Sequence, residues 1–184
     1  LLRGKNVILG YLNQPEKTAE TITADGWLHT GDVGVADGQG HFRITDRMKD
    51  IIITAGGKNI TPSEIENQLK FSPYITDAVV IGDKRPYLTV IVMIDQENVE
   101  KFAQDRDIPF SNYTSLTRAQ PMQELIWREI ERVNRKFARV EQVKRFFLLE
   151  TQLSAEDEEL TPTMKLKRKF VEKKYADRIE AMYR

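Results

Sequence analysis

The sequence contains no cysteine, and this absence removes several classes of chemistry at once. A disulfide scaffold, a zinc site built from thiolates and a cysteine nucleophile are all excluded. Histidine is also scarce, since His29 and His41 are the only two in the chain. The sequence therefore does not predict a histidine-rich metal site. Neither histidine has an identifiable partner, so we assign both to packing or surface roles.

No sign of charge dominates, and no apolar run is long. Lys plus Arg and Asp plus Glu total 28 each among 184 residues, so no global attraction to nucleic acid or to an anionic membrane is expected. The longest apolar stretch, residues 88–94, is too short to span a bilayer. Because no signal peptide is visible and the first residue is not Met, we expect a cytoplasmic chain that begins inside a longer protein.

Strands alternate with helices from about residue 50 onward, which predicts an α/β or α+β layered domain. Two β-branched runs, residues 78–81 and 88–94, predict central strands covered on both faces. Thr61 is the expected N-cap of a helix, with Pro62 in its first turn and Glu64 three residues after the cap. A later helix over residues 120–137 is predicted by one apolar stripe, formed by Leu125, Ile126, Ile130, Val133 and Phe137.

Shorter segments complete the secondary-structure prediction. A turn is expected at residues 37–40, where the sequence is DGQG, and another at residues 55–59. The remaining expectations are strands at residues 7–9, 41–44 (half-buried), 51–53 and 146–149, short helices at 15–21 and 97–105, an irregular loop at 107–117, an acidic loop at 154–159 and one final helix over 166–184.

Two polar residues in the first part suit the sugar of a nucleotide. Asp32 follows a Thr-Gly pair, and a carboxylate on a rigid turn can accept hydrogen bonds from two vicinal hydroxyls. The alternative is that Asp32 stabilises its own turn. Arg47 offers a planar fork of donors for a ribose or phosphate oxygen. Because Asp46 and Asp50 flank it, a weak surface ion pair is the alternative for Arg47.

Later residues provide a second group of candidates. Lys49 lies where the hairpin-rich first part meets the layered second part, so it is either a hinge or a solvated charge. Gly56 and Gly57 form a turn with positive φ, or they let a ligand approach the backbone closely. Lys165 follows a Thr-Pro-Thr segment and could neutralise charge that develops on a carboxylate or phosphate in a transition state. The alternative for Lys165 is a solvated basic face.

Together these segments resemble the adenylate-forming (ANL) superfamily and, within it, the long-chain fatty acid–CoA ligases. The sequence GWLHTGD at residues 26–32 is similar to the ribose-binding motif of that family. Residues 42–66 resemble its hinge and glycine segment, and LTPTMKLKR at residues 160–168 resembles its C-terminal lysine motif. Met164, where other members often have Gly, is typical of the long-chain branch. The resemblance covers essentially the whole chain.

The resemblance implies a reaction in two steps. A fatty acid first reacts with ATP to give acyl-AMP and pyrophosphate, and the acyl group then passes to the thiol of CoA. It implies that Asp32 and Arg47 hold the ribose hydroxyls and that Lys165 bridges the carboxylate and the α-phosphate. Lys49 is the implied hinge of a domain rotation between the two steps. The pair at residues 56–57 is expected to border the channel for the pantetheine arm of CoA.

The resemblance also implies a domain organisation. Residues 1–47 are expected to end a large domain as a short β-rich tail, and residues 48–184 to form a small mobile C-terminal domain with a central mixed sheet flanked by helices. The phosphate loop, adenine pocket, Mg²⁺-binding Glu and acyl tunnel are expected upstream, so this chain alone is expected to be inactive. The expected partners are fatty acid, ATP, CoA and the large domain of the same enzyme. Peripheral membrane contact and the oligomeric state stay open.

Three alternatives stay open at this point. The chain could belong to another adenylate-forming enzyme, such as an aryl or medium-chain acid ligase, or to a fatty acyl–AMP ligase that does not use CoA. From a different class, it could be a non-catalytic interaction module whose glycines and lysines are structural. That last alternative predicts that Lys165→Ala and Asp32→Ala leave ATP turnover unchanged.

Overall fold

The computed structural model describes residues 1–151, 153, 156–163 and 165–184. It divides the chain into two compact units, which we call unit 1 (Leu1–Asp50) and unit 2 (Ile51–Arg184). Met164 lies outside the described residues, and so do two positions of the acidic loop predicted at residues 154–159, Ser154 and Ala155.

Unit 1 contains one helix and one antiparallel hairpin. Helix α1 (Pro15–Thr21) begins with a proline in its first turn, which a helix tolerates because that N–H needs no partner. Strands β1 (Asp32–Ala36) and β2 (Phe42–Arg47) pair with each other, and a single 3-10 turn, Met48–Asp50, follows them. The prediction of α1 and of the turn between the strands is confirmed.

Three expectations for unit 1 are wrong. Residues 7–9 form no strand and pair with none among the described residues, because three apolar residues without a partner do not make a ladder. Strand β2 is present but is not half-buried, since the side chains of Phe42 and Ile44 are 81% and 65% exposed. His41 does have a partner, because its Nδ1 lies 2.8 Å from Oδ2 of Asp37.

Unit 2 is built on a mixed three-stranded sheet. Strands β5 (Ile75–Ile81), β6 (Leu88–Ile94) and β7 (Val143–Leu148) lie in that order. The first two are antiparallel and the last two are parallel. Strand β6 is central and buried throughout, as predicted. Strand β5 is an edge strand, which corrects the prediction, because a buried apolar run indicates covered faces but not the position of a strand in its sheet.

Helices cover both faces of this sheet, so the prediction of a mixed sheet flanked by helices is confirmed. Successive strand residues point to opposite faces, and Val80 and Val90 therefore join one core cluster while Val79 and Ile91 join another. The first cluster includes residues of α2 (Pro62–Leu69), α3 (Gln96–Gln104), α4 (Tyr113–Arg118) and α5 (Gln120–Asn134), and the second includes residues of α6 (Arg168–Lys174) and α7 (Ala176–Ala181).

The predicted starts and stripes of two helices agree with the structure. Helix α2 begins after Thr61 with Pro62 in its first turn, although the Thr61 side chain makes no capping hydrogen bond. Helix α5 buries the predicted stripe up to Val133. Phe137 lies beyond the end of this helix and packs partly buried against the same cluster.

Besides the position of β5, two expectations for unit 2 are wrong. The segment predicted as an irregular loop contains α4, which Asn112 caps: the N–H of Ser115 donates to Asn112 Oδ1 at 2.8 Å. The predicted final helix is two short helices, α6 and α7, separated at Tyr175, whose backbone leaves the helical region. The ring of Tyr175 lies 6.0 Å from that of Phe147 on the sheet, so the interruption coincides with a packing contact.

Unit 2 also contains a short hairpin whose strands have two residues each. Strands β3 (Ile52–Ile53) and β4 (Asn59–Ile60) are antiparallel and enclose residues 55–58 of the turn predicted at 55–59, whose last residue, Asn59, begins β4. Within the described part of the chain, no helix combines the length and apolar character that crossing a membrane requires.

Candidate functional site

Asp32 and Arg47, 15 positions apart in sequence, are brought together by the hairpin of unit 1. The register of β1 and β2 places them directly opposite each other, and Arg47 Nε lies 3.0 Å from Asp32 Oδ1. Their side chains are 26% and 60% exposed, so both stay reachable from solvent. Arg47 therefore pairs across the hairpin with the other predicted ribose-binding residue.

The Thr-Gly-Asp sequence determines how Asp32 enters its strand. Gly31 has φ +71°, a left-handed conformation that glycine adopts without strain. The N–H of Asp32 donates to Thr30 Oγ1 at 3.2 Å, and the N–H of Met48 donates to the Gly31 carbonyl at 2.8 Å. The bend is therefore fixed on both sides, and Asp32 is the first residue of β1.

Lys49 is the middle residue of the 3-10 turn that follows β2, and its side chain is exposed. The boundary between the two compact units falls between Asp50 and Ile51, directly after this turn. The predicted hinge residue therefore lies beside the point at which one compact unit ends and the next begins.

The glycine turn, residues 54–58, is closed by its own backbone. The N–H of Gly57 donates to the Thr54 carbonyl at 2.8 Å, and the N–H of Thr54 donates to the Lys58 carbonyl at 3.1 Å. Gly57 has φ +75°, which explains the glycine there. A Cβ on Gly56 would approach only Thr54 Oγ1, at 3.9 Å, among the described residues. Local packing therefore does not require glycine at Gly56.

Lys165 lies at the end of a closed turn that we call the lysine loop, residues 160–166. An isolated antiparallel bridge joins Leu160 to Leu166 at its base. Inside it, the N–H of Thr161 donates to the Lys165 carbonyl at 2.8 Å, and the N–H of Lys165 donates to Thr161 Oγ1 at 3.1 Å. The Lys165 side chain is exposed, and its ammonium forms no hydrogen bond or ion pair with the residues that the structure describes.

Two carboxylates anchor the chain just after Lys165 to the edge strand and to α2. The N–H of Leu166 donates to Oδ2 of the buried Asp77 at 2.8 Å. Arg168 donates to the Val80 carbonyl and to Oε1 of Glu66, each at 2.5 Å. Burial raises the pKa of the Glu66 carboxyl, and the positive charge of Arg168 opposes that rise. Arg168 thus compensates a carboxylate that is costly to bury alone.

The start of the lysine loop has its own anchor. The carbonyl of Glu159 accepts a hydrogen bond from the N–H of Lys167 at 2.7 Å, which ties the two ends of the loop together. The buried side chain of Glu159 pairs with Lys174 of α6, and this hydrogen bond is the main reason why the pKa of Lys174 is raised. The lysine loop is therefore held at both ends while its lysine stays in solvent.

Sequence reasoning missed Glu66, Asp77 and Arg168 as supports of the site. One signal for Glu66 exists, because it lies within the stripe of α2 that also contains Ile65 and Leu69. A carboxylate at a position where periodicity predicts burial requires a cationic partner. No such signal identifies Arg168, because the sequence does not distinguish it from the exposed lysines on either side of it, Lys167 and Lys169.

Among the described residues, no group of three or more His, Cys, Asp or Glu side chains is placed to hold a metal ion. The two parts of the candidate site belong to different units. Unit 1 contains the Asp32–Arg47 pair and Lys49, and unit 2 contains the glycine turn and the lysine loop.

Comparison with known proteins gives a consistent result. The family described as AMP-binding enzyme C-terminal domain matches residues 49–184. The protein fadD11 of Mycobacterium tuberculosis is 42% identical over 187 residues, covering 100% of this chain and 32% of its own length. Long-chain-fatty-acid–CoA ligase FadD15 of the same species is 38% identical, covering 100% of this chain and 30% of its own length. The chain thus spans about a third of the length of these curated relatives.

Solved structures agree with the sequence comparisons. The adenylation domain of a carboxylate reductase from Mycobacterium chelonae has a TM-score of 0.76 and 28% identity, covering 95% of this chain and 26% of that one. The corresponding domain from Segniliparus rugosus has a TM-score of 0.78, covering 98% of this chain and 27% of that one. At 23% identity, the second likeness concerns the fold alone. The chain belongs to the family of AMP-binding enzyme C-terminal domains, in the adenylate-forming (ANL) superfamily.

Proposed function

We propose that this chain is the C-terminal part of an AMP-forming long-chain fatty acid–CoA ligase and that Lys165 is its adenylating lysine. One observation carries the proposal: the lysine loop is anchored at both ends while the side chain of Lys165 is exposed. The family match and the name of the FadD15 relative supply the reaction class and the substrate. Residues 1–47 are then the end of the large domain, and residues 48–184 are the small mobile domain.

In the first half-reaction, a carboxylate oxygen of the fatty acid attacks the α-phosphorus of ATP. The bond from this phosphorus to the bridging oxygen of the β-phosphate breaks, and pyrophosphate leaves. Negative charge is shared between the attacking carboxylate and the α-phosphate in the transition state. The ammonium of Lys165 neutralises that charge, and it does so most effectively if it is held in place beforehand. The closed lysine loop fixes the backbone from which that ammonium extends, at Thr161 and Lys165.

Asp32 and Arg47 hold the ribose in this proposal. The Asp32 carboxylate accepts hydrogen bonds from the two vicinal hydroxyls, and the guanidinium of Arg47 orients it through the 3.0 Å contact. Both side chains are exposed enough to meet a ligand, and the cross-strand register fixes their spacing. Mg²⁺ that accompanies ATP is expected to bind to residues of the large domain.

In the second half-reaction, the sulfur of CoA attacks the acyl carbonyl carbon and AMP leaves, while the thiol proton passes to water. The glycine turn would border the pantetheine arm, because Gly56 has room for a side chain that the sequence does not supply. Close approach of a ligand is a reason for glycine there that local packing does not give. Lys49, beside the unit boundary, would be the hinge between the two half-reactions.

The test uses the full-length enzyme and measures each half-reaction alone. We expect Lys165→Ala to slow fatty acid-dependent ATP–pyrophosphate exchange about 10²–10³-fold, the usual cost of removing a transition-state charge contact. Thioester formation from supplied acyl-adenylate should survive. Lys169→Ala is the matched control, since Lys169 is an exposed lysine of the same segment, and both half-reactions should be unchanged. If Lys165→Ala leaves exchange intact, Lys165 is an ordinary surface lysine.

The same assays separate the alternative enzymes. Exchange measured across a series of acids identifies the acyl class, because only the preferred chain length should support rapid turnover. A wild-type enzyme that exchanges pyrophosphate but forms no thioester with CoA is a fatty acyl–AMP ligase. A wild-type enzyme with neither activity contradicts the proposed function and favours a non-catalytic module.

A further inference from the structure

The glycine turn is held from the side by the loop that joins β5 to β6. The N–H of Lys84 donates to the Ile53 carbonyl at 2.8 Å, and the N–H of Ala55 donates to the Arg85 carbonyl at 2.9 Å. Between them, the N–H of Ile53 donates to Asp83 Oδ1 at 3.1 Å. Strand β3 is therefore bonded along one edge to β4 and along the other to this loop. Ala55 directly precedes the first glycine of the turn.

A tight turn and close packing bring the Arg85 carbonyl of this loop to Ala55. Lys84 has φ +57°, and the N–H of Arg85 closes a tight turn onto the Gly82 carbonyl at 3.0 Å. A Cβ on Gly82 would lie 2.3 Å from Leu88 Cδ2 and 3.3 Å from Ile52 Cγ2. The backbone of the loop is thus packed directly against β3 and the start of β6.

The side chain of Arg85 contacts one residue of α7, Glu180, and one residue just after it, Tyr183. Two guanidinium nitrogens contact the Glu180 carboxylate, with Nη1 at 3.2 Å from Oε2. The guanidinium also lies 4.8 Å from the centroid of the Tyr183 ring, a cation–π distance. The hydrogen bond to Glu180 raises the pKa of Arg85 and lowers that of Glu180. A guanidinium that contacts both oxygens of a carboxylate fixes the orientation of the Arg85 side chain as well as its distance from Glu180.

The helix end that holds Arg85 is itself fixed to the same loop. The Tyr183 hydroxyl lies 3.2 Å from the carbonyls of both Ile81 and Tyr87, which are the residues at the two ends of the loop. In return, the Tyr87 hydroxyl donates to the Met182 carbonyl at 2.8 Å, and the rings of Tyr87 and Tyr183 are 5.0 Å apart. The C-terminal helix and the β5–β6 loop therefore form one connected network.

We propose that Arg85, Glu180 and Tyr183 form a brace that positions the glycine turn and that thioester formation depends on this brace while adenylation does not. Its catalytic role rests on the proposed function, in which the glycine turn borders the CoA channel. The carbonyl of Arg85 is the direct acceptor for Ala55, so movement of Arg85 passes to the turn through one hydrogen bond. The lysine loop is anchored through Asp77 and Glu159, so it should not move with Arg85.

The test compares Arg85→Ala and Glu180→Gln with wild type in the full-length enzyme. We expect kcat/KM for CoA in thioester formation from supplied acyl-adenylate to fall about 10–100-fold, because misplacement by about 1 Å has effects of this size. ATP–pyrophosphate exchange should stay within about twofold. Exposed ion pairs add little to global stability, so both variants should fold. Arg85→Lys, which keeps one charged contact with Glu180, should recover part of the loss.

A matched control is available in the same unit. Arg118 pairs with Glu150 in an exposed contact of 2.5 Å, and it touches neither the glycine turn nor the lysine loop through any described bond. Arg118→Ala removes the same kind of interaction and should leave both half-reactions unchanged. If it impairs thioester formation as much as Arg85→Ala, the effect is not specific to the brace and the proposal is wrong.

Amide hydrogen exchange supplies a readout that does not depend on catalysis. In Arg85→Ala, exchange should accelerate in the peptide covering residues 52–58 and stay slow in the peptide covering residues 88–94, which is the central strand. Unchanged exchange at residues 52–58 overturns the brace even if the wild-type enzyme is a ligase. Faster exchange there with unchanged thioester formation overturns its catalytic role. If wild type forms no thioester, the proposed function fails, whatever the exchange result.

Discussion

The two compact units differ in what holds them together. In unit 1, all of whose residues the structure describes, Asp46 is the one buried residue, at 7% exposure, and large apolar side chains such as Leu9 and Phe42 lie in solvent. Unit 2 has a two-sided apolar core with entirely buried residues on both faces of its sheet. A segment of 50 residues buries little surface on its own, whereas the larger unit closes a core.

The same difference separates the two parts of the candidate site. The pair of Asp32 and Arg47 depends on strand register and a few local hydrogen bonds in a hairpin whose faces are open. Lys165 is exposed as well, but Leu166 after it bonds to the buried carboxylate of Asp77, and Glu159 before it is buried and pairs with Lys174. Substitutions in the core of unit 2 should therefore disturb the lysine loop, and those in unit 1 should act locally.

The largest contrast should come from truncating one apolar side chain in each unit. Ile126 is entirely buried in α5, and Ile126→Ala should lower the free energy of unfolding by about 2–5 kcal/mol. Phe42→Ala in the exposed hairpin should change it by less than about 0.5 kcal/mol. Each unit has one tryptophan, Trp27 and Trp127, so urea unfolding of single-tryptophan variants reports on each unit separately.

A large loss from Phe42→Ala would contradict this contrast, because it would mean that unit 1 does bury its apolar face. A small loss from Ile126→Ala would contradict the core of unit 2 as described. A volume-conserving control, Ile126→Leu, should cost less than about 1.5 kcal/mol and separates cavity formation from simple change of side chain.

The elements that could be predicted from the sequence are those with a strong local pattern. Strands β5 and β6 and helix α5 were recognisable because burial on one or two faces imposes a periodicity that the residues show. Helix α4 was missed since its six residues have no apolar period and depend on the cap at Asn112. The interruption at Tyr175 was missed because its cause is a contact with a strand far away in sequence.

In the candidate site, too, the sequence identifies residues within local motifs but not their contacts with residues far away in the chain. Asp32, Arg47 and Lys165 stand in recognisable motifs, so the sequence could identify them as candidates. That Arg47 faces Asp32 follows from a strand register, which the motif does not contain. The ion pair between Glu66 and Arg168 joins residues 102 positions apart, and no local spacing predicts a contact over that separation. Whether these residues act as the motifs imply stays a prediction.

A smaller contrast should come from removing one partner of a largely buried ion pair in unit 2. Arg168→Met leaves Glu66 without its cation, and we expect a loss of about 3 kcal/mol at neutral pH, the lower end for buried pairs because both side chains keep some exposure. Urea unfolding followed by Trp127 measures it. Arg132→Met, which breaks the exposed pair with Glu129, is the control and should cost less than about 1 kcal/mol.

The loss in Arg168→Met should depend on pH in a defined direction. Burial already raises the pKa of Glu66 above its ordinary value of 4.5, and removing Arg168 takes away the charge that opposes this rise. The folded protein then binds a proton more tightly than the unfolded chain, so stability is greatest below pH 4.5 and falls as the pH rises through the folded-state pKa. A penalty that grows on acidification would contradict the burial of Glu66.

The smallest effect should come from the turn of unit 1, where hydrogen bonds rather than burial shift a pKa. The main-chain N–H and the side chain of His41, together with the N–H of Gln39, lower the pKa of Asp37 from 3.8. For a lowered pKa the sign is opposite to that of Glu66: the stabilisation is present above pH 3.8 and is lost as the pH falls through the folded-state pKa.

NMR titration of the Asp37 carboxyl and the His41 amide tests this directly. Asp37→Asn should abolish the acid-dependent shift of that amide while leaving the unfolding of unit 2 unchanged. If the Asp37 carboxyl of the wild type titrates at its ordinary value, the turn is closed by its backbone alone. If Asp37→Asn destabilises unit 2, the two units do not respond independently.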